Sequence, residues 1–511
     1  MVFNSLQYAL FLPLVVGAYW LLKRRGQNAL LLVASYFFYA YWDYRFLVFM
    51  WFSTIVDYTV GRWLSSTEDE RKRKRIFAIS LIVNLGILGF FKYQGFFVDS
   101  AADLLRAFGL EPNLRSLEVI LPVGISFYTF HGISYTFDVY RRDLEPARDL
   151  LDFAVFISFF PQLVAGPIGR ATIQLPQFAN AREKPSRDDV RSGLFLIFLG
   201  LFKKVAIADA LAPFVNQAFD APGAAGAGSL LIAVYAFGLQ IYGDFSGYSD
   251  IARGSSRLFG IELLRNFEQP FLSRNTTALW RTWHISLSSW LRDYLYVPLG
   301  GNRARTRRRV YINIMIVMLV AGLWHGAAWT FVVWGGLNGV LLVVERVFAD
   351  GRAKRAPAET SSPIGGELGT LPIDTRHETS VEARAIKAAR RREAPLPPPF
   401  RWGDVLPAFR TFTLFCVTFV FFRAASFSDA ADVFSGIATL RPGVVDRNAI
   451  VIVLLAAVGL FAIDIAQRNA RDETPVIEWG LTARAVVYAA MLGAILVFSG
   501  GTPTPFIYFQ F

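Results

Sequence analysis

The sequence predicts an all-α integral membrane protein, and three observations carry that prediction. Of its 511 residues, 54% are hydrophobic and 18% charged, with a mean hydropathy of +0.39. A soluble chain carries about 25% charge. Apolar runs near the roughly 20 residues that cross a bilayer recur along the whole chain. The basic residues fall in short clusters between those runs, the pattern of loops on one side of a membrane. This distribution argues against nucleic acid as the partner implied by the net charge of +12. The recurring apolar runs exclude disordered, fibrous and disulfide-rich secreted classes as well, and the single cysteine, Cys416, can form no internal disulfide.

Taken in order, the first apolar run, 2–22, has no basic segment before it and no small-residue cleavage site, and Lys23, Arg24 and Arg25 follow it. It therefore reads as a retained helix rather than a signal peptide. Further spans are expected at 29–42, 46–64, 76–98, 118–139, 150–168, 188–212 and 228–250. Beyond these lie 310–348 (two short helices), 404–423, 449–467 and 482–500, about a dozen membrane elements in all. Basic residues leave the first, third and fifth spans, at Lys23–Arg25, Arg71–Arg75 and Arg141–Arg142. The positive-inside rule then places these loops in the cytoplasm and the N-terminus outside. Residues 1–349 form the membrane core and 402–511 complete it. Between them, 350–401 holds ten Lys or Arg, seven Asp or Glu and a Pro run at Pro395 and Pro397–Pro399. Such a composition builds no core, so this segment is expected to be a largely disordered cytoplasmic insertion with a helical stretch at 381–392.

The segment 267–309 is too polar for a lipid-facing span, yet carries Trp280, Trp283, Trp290, Tyr294 and Tyr296. Polar sequence at membrane depth must be covered by protein or line a wet cavity, which makes it a functional candidate. Of the four histidines, His377 lies in the insertion and reads as solvated, and His131 lies in an apolar run and reads as a packed core residue. His325 has Ala321, Gly322, Ala328 and Trp329 at helical spacing, and Trp324 beside it. Small neighbours admit either a close helix contact or a narrow substrate channel, and the cost of an ionisable group at membrane depth favours function. On a continuous helix His284 shares a face with Arg281 and Ser288, flanked by Trp283 and followed by Asp293. An amphipathic surface helix is the competing reading. Arg303, Arg305 and Arg307 in the following loop can neutralise donor phosphates or simply hold the loop in the cytoplasm. Walker, nucleophile-elbow and zinc-helix motifs are absent, and no spacing suggests a metal.

Several segments together resemble the membrane-bound O-acyltransferase family, in its bacterial polysaccharide-acetylating branch. They are Val2-Phe3-Asn4-Ser5, Pro161-Gln162-Leu163-Val164-Ala165-Gly166-Pro167-Ile168, Trp283-His284-Ile285-Ser286-Leu287-Ser288, Pro298-Leu299-Gly300-Gly301, Gly322-Leu323-Trp324-His325-Gly326-Ala327 and Phe421-Phe422-Arg423-Ala424. The resemblance implies a multi-helix ring with a central tunnel through a thinned membrane. It implies that His325 is the catalytic base, with His284 orienting the acceptor or stabilising the oxyanion. It also implies acetyl-coenzyme A as donor substrate with no bound cofactor, and an exported polysaccharide such as alginate as acceptor. A periplasmic esterase-like partner of an export complex and the inner membrane as location complete the expectation. Two departures stand out: the insertion is long, and Asn338 occupies a place where many relatives have histidine. D-alanyl transfer to teichoic acid and a non-catalytic transporter are the rival readings, and covalent label on a polymer separates transfer from transport.

Overall fold

The computed structural model describes residues 1–111, 116–117, 119–163, 166–355, 397–499 and 504–507. Among them every regular element is helical. Among the described residues six helices are long and apolar enough to cross a membrane: Glu70–Ala107, Ala227–Arg257, Trp329–Gly351, Trp402–Arg423, Arg447–Ala470 and Leu481–Phe498. The chain divides into two compact units, one made of Met1–Leu201, Gly247–Leu264 and Pro505–Phe511, the other of Phe202–Ser246 and Arg265–Thr504. The expected helix at 381–392 and His377 lie outside the described residues.

In the first unit, α1 (Leu6–Tyr19) starts where the Ser5 side chain accepts a hydrogen bond from the Tyr8 amide. Its Leu6, Leu10 and Leu14 form an exposed stripe at four-residue spacing. An apolar stripe left uncovered by protein suits a helix facing hydrocarbon. The helices α2 (Arg24–Asp43), α3 (Leu47–Ser65), α4 (Glu70–Ala107) and α5 (Ile125–Tyr140) follow. Between α3, α4 and α5 the buried Asp57 accepts from Ser80 Oγ at 2.6 Å and Asn84 Nδ2 at 2.9 Å. Ser53 donates to Asn84 Oδ1 at 2.7 Å. Donors for every carboxylate oxygen offset the desolvation that burial imposes. On α4, Arg73 reaches the carbonyls of Leu64, Val139 and Tyr140, and so closes the C-terminal ends of α3 and α5.

The apolar run at 150–168, expected to be a single span, is instead a re-entrant hairpin. It consists of α6 (Leu150–Ser158), a connection that includes the single helical turn Phe160–Leu163, and α7 (Ala171–Ala179). Asn28 Nδ2 donates both to Asp152 Oδ1 at 2.7 Å, in the first turn of α6, and to the Phe178 carbonyl at 2.9 Å, in the last turn of α7. The two ends therefore meet at one level of α2. The turn sits about 10 Å further along α2, seven residues on at 1.5 Å each, where Ser35 Oγ accepts from the Phe160 amide at 3.0 Å. His131 Nε2 accepts from the Gly169 amide at 3.0 Å, and Gln162 Nε2 donates to the Pro167 carbonyl at 2.5 Å. Non-helical backbone among apolar helices survives only when such partners are supplied. His131 is thus the buried core histidine its surroundings suggested, and it holds a backbone in place. The chain leaves this unit through α8 (Arg187–Leu201).

In the second unit, a π-helical segment, Phe202–Asp209, leads into α9 (Ala210–Asp220). Lys204 Nζ lies 2.8 Å from both Asp209 and Asp244, and donates to the Thr504 carbonyl at 3.0 Å. Asp244 belongs to α10 (Ala227–Arg257), so this buried ion cluster pins α10 to the π-helical segment. After the short helices α11 (Thr276–Thr282) and α12 (Ile285–Leu291) come α13 (Arg307–His325) and α14 (Trp329–Arg355). Both are full-length, where the sequence suggested two short helices. They pack backbone to backbone: a Cβ on Gly322 would strike the Phe331 carbonyl, and one on Gly335 the Met318 carbonyl. The helices α15 (Val405–Arg423), α16 (Phe427–Ala438), α17 (Arg447–Ala470) and α18 (Leu481–Phe498) complete the unit.

Two glycines test this packing. A Cβ at Gly132 would overlap Asp57 Oδ2, whereas one at Gly86 meets nothing within 4 Å. Gly132→Ala is therefore expected to lower stability by about 1–3 kcal/mol, read as a lower melting temperature of the purified protein. Gly86→Ala, in a helix, should be neutral or stabilising by up to about 1 kcal/mol.

Candidate active site

Helix α13 begins where the Thr306 side chain accepts from the Arg309 amide, and it ends on His325. Gly326 follows with φ −155°, after which α14 resumes at Trp329. His325 is thereby held at the closed end of the α13–α14 hairpin, and it is 3% exposed. A Cβ on Gly326 would enter the Phe331 ring, which packs on Phe422 at 4.8 Å.

His284 is placed differently. The Asn275 side chain caps α11, which stops at Thr282. Trp283 is extended and His284 adopts φ 42°, ψ 53° before α12 begins. A left-handed conformation at a non-glycine residue costs roughly 1–2 kcal/mol and persists only when its surroundings impose it. Here the Ile285 amide donates to the Asn266 carbonyl at 2.8 Å, and Ser286 Oγ donates to Asn266 Oδ1 at 2.5 Å. The Glu268 amide donates to the Thr282 carbonyl at 3.0 Å. A strap of residues 266–268 therefore holds the bend, and His284 is fully buried.

The two imidazoles converge. Their centroids lie 6.3 Å apart at an interplanar angle of 64°, and Trp324 packs against both, at 5.8 Å from His284 and 4.9 Å from His325. Phe245 closes the far side of His284 at 4.6 Å. Around His325 stand Trp334 at 5.0 Å and Phe422 at 5.3 Å. Trp283 lies in an aromatic layer with Phe267, Phe271, Phe415 and Phe419, at centroid distances of 5.0 to 5.8 Å. Two imidazoles this close can both hydrogen-bond one small reacting group, since each bond reaches about 3 Å.

Other candidates fall elsewhere. The break at Trp283–His284 means that Arg281 and Ser288 do not share a helical face with His284. Arg281 is exposed in the last turn of α11, and Ser288 Oγ donates to the Trp283 carbonyl at 3.1 Å. Asp293 pairs with the neighbouring Arg292 at 2.8 Å. Arg303, Arg305 and Arg307 are exposed after a turn in which Gly300 (φ 107°) and Gly301 (φ 50°) take conformations suited to glycine. Arg307 lies 4.0 Å from Asp350. Among the described residues no group of three or more His, Cys, Asp or Glu assembles to hold a metal ion.

Trp334, Phe422 and Phe245 also neighbour the histidines, outside the site residues singled out from the sequence. Phe412, Phe415, Phe419 and Phe422 recur at three- and four-residue spacing along α15 and are all buried, a signal that was present. Phe245 carries no such signal.

Known proteins bear on this arrangement. The membrane-bound O-acyltransferase family model matches residues 129–359, a span that holds both buried histidines of the pair. The chain is 35% identical to the probable alginate O-acetylase of Pseudomonas putida over 100% of both chains. It is 36% identical to the peptidoglycan O-acetyltransferase of Helicobacter pylori over 67% of this chain and 70% of the relative. The teichoic acid D-alanyltransferase of Streptococcus thermophilus is 30% identical over 46% of this chain and 59% of its own.

The hairpin end can be tested. Gly326→Val, which must push the Phe331 ring, is expected to reduce acyl transfer about 100-fold through misplacement of His325, while the protein still accumulates in membranes. Gly336→Ala meets only the tip of Leu319, at 3.4 Å, and should leave transfer unchanged. Initial rates on equal amounts of purified protein check both.

Proposed function

The chain belongs to the membrane-bound O-acyltransferase family, and from that premise we propose that it moves an acetyl group onto hydroxyls of an exported polysaccharide. The observation that carries this reading is the convergence of two buried histidines, from the end of α13 and from a strained bend, inside one aromatic shell. Ionisable side chains are expensive in such surroundings and are kept where chemistry uses them.

In the proposed reaction His325 takes the proton of the acceptor hydroxyl as its oxygen attacks the carbonyl carbon of an acetyl thioester. The C–S bond breaks, the thiolate leaves, and His325 returns the proton to it. A positioned base contributes roughly 100- to 10,000-fold in rate. His284 orients the acceptor hydroxyl, which is where a rigid, pre-strained imidazole is most useful.

Acetyl-coenzyme A is the proposed donor, presented from the cytoplasm, with exposed Arg303, Arg305 and Arg307 meeting its phosphates. The protein sits in the inner membrane with its N-terminus on the periplasmic side, a reading supported by the basic clusters at Lys23–Arg25, Arg71–Arg75 and Arg141–Arg142. A periplasmic esterase-like protein of an export complex is the proposed partner, presenting the polymer to the site. Acetyl is favoured over D-alanyl because the acetylating relatives match two thirds or more of the chain, and the D-alanyl relative matches 46%.

His325→Ala is expected to abolish acetylation of the exported polymer, and His284→Ala to reduce it at least tenfold, both at normal membrane levels. Mass analysis of polymer from a deletion strain carrying each variant provides the measurement. Unchanged acetylation with His325→Ala would remove the general-base assignment.

A further inference from the structure

Acyl transfer to a hydroxyl passes through a tetrahedral intermediate whose carbonyl oxygen becomes an oxyanion. An enzyme of this type needs a fixed donor aimed at that oxygen in dry surroundings. The indole of Trp334 is a donor fixed in such surroundings beside His325. It lies on α14, fully buried, with its ring centroid 5.0 Å from that of His325 and its plane at 88° to the imidazole. Its Nε1 is buried and has no hydrogen-bond partner among the described residues. Indole nitrogen is a donor only, and leaving a buried donor unspent is destabilising. A fold that carries such a cost beside a catalytic base gains from it when a ligand supplies the acceptor.

The ring is also immobilised. It stacks on Phe419 at 6.0 Å with an interplanar angle of 9°, and meets Phe422 edge-on at 5.1 Å. One turn further along α14, Asn338 Nδ2 donates to the Trp334 carbonyl at 2.9 Å and to Thr418 Oγ1 at 3.2 Å, tying this turn to α15. The backbone approach at Gly322 and Gly335 fixes the register of α14 against the helix that ends in His325. Base and donor are thus carried by two helices that cannot slide past each other. A second indole, Trp280, lies 5.9 Å from Trp334, and its Nε1 is likewise buried without a partner among the described residues.

We propose that Trp334 is a catalytic residue whose indole N–H donates a hydrogen bond to the thioester carbonyl oxygen as it becomes an oxyanion. The proposal rests on the acetyl-transfer reading. As the acceptor oxygen adds to the carbonyl carbon, the π electrons move onto the carbonyl oxygen. His325 then holds the acceptor proton and Trp334 holds the oxyanion. Collapse re-forms the carbonyl, breaks the C–S bond and sends the proton from His325 to the thiolate. Trp334 gives up no proton in the cycle.

The test is steady-state transfer of labelled acetyl from acetyl-coenzyme A to an alginate oligosaccharide by the purified full chain. It compares the wild type with Trp334→Phe and with Trp334 replaced by benzothienylalanine, which keeps the bicyclic shape and lacks the N–H. Both replacements are expected to lower kcat by about 100- to 1,000-fold, the range for losing one oxyanion donor, with KM within a few-fold of wild type. A benzothienylalanine protein with wild-type kcat overturns the proposal, even if Trp334→Phe is slow, because the role is then packing. His325→Ala serves as the reference. If it turns over at the wild-type rate, the general-base assignment of His325 fails; if the wild type itself moves no acetyl, the acetyl-transfer reading fails, and the Trp334 proposal fails with it.

Discussion

The close approach of α13 and α14 across Gly322 and Gly335 is the constraint on which the histidine site depends. A side chain at either glycine would run into the carbonyl of the opposing helix, so the backbones meet with nothing between them. Without a hydrophobic driving force between helices in lipid, this kind of contact is how membrane helices are held in register. One result is a hairpin whose closed end presents His325. Another is that Trp334, nine residues beyond His325 and on the other helix, faces it at a fixed angle. The aromatic residues of α15 then pack against a surface already set by the hairpin.

A second constraint follows from the apolar surroundings. Polar backbone exposed by a break in a helix must find partners within the protein. In the first unit, Ser35, His131 and Gln162 serve the re-entrant turn between α6 and α7, and Arg73 serves the ends of α3 and α5. In the second unit, Asn266 serves the bend at His284. One physical rule thus accounts for the burial of these five polar side chains. It also separates His131, whose ring nitrogen accepts from a backbone amide, from the pair His284 and His325, whose rings lie against each other and against indoles.

Much of this was legible in the sequence. The apolar runs located most helices to within a few residues, because a span of hydrocarbon demands a minimum apolar length. The small residues around His325 pointed to a close helix contact, and the polar, Trp-rich segment marked the other half of the site. The re-entrant turn was obscured because α6 and the residues after it read as one apolar run. Only Pro161, Pro167 and the glycines at Gly166 and Gly169 mark the interruption. The bend at His284 has no glycine or proline to announce it, since it is imposed by tertiary hydrogen bonds to Asn266. That is why Arg281 and Ser288 seemed to share a face with His284 and do not. An aromatic residue in an apolar helix ordinarily reads as packing, and only its neighbours in the fold distinguish Trp334.

The central claim is that acyl transfer takes place at a histidine pair buried within a membrane protein, with donor and acceptor arriving from opposite sides. The most direct measurement places the purified chain in sealed vesicles, labelled acetyl-coenzyme A on one side and an alginate oligosaccharide on the other, and follows covalent label on the sugar. Steady accumulation of acetylated oligosaccharide across an intact membrane is the predicted result. Label that reaches the sugar only when donor and acceptor share a side, or that never becomes covalent, would contradict it.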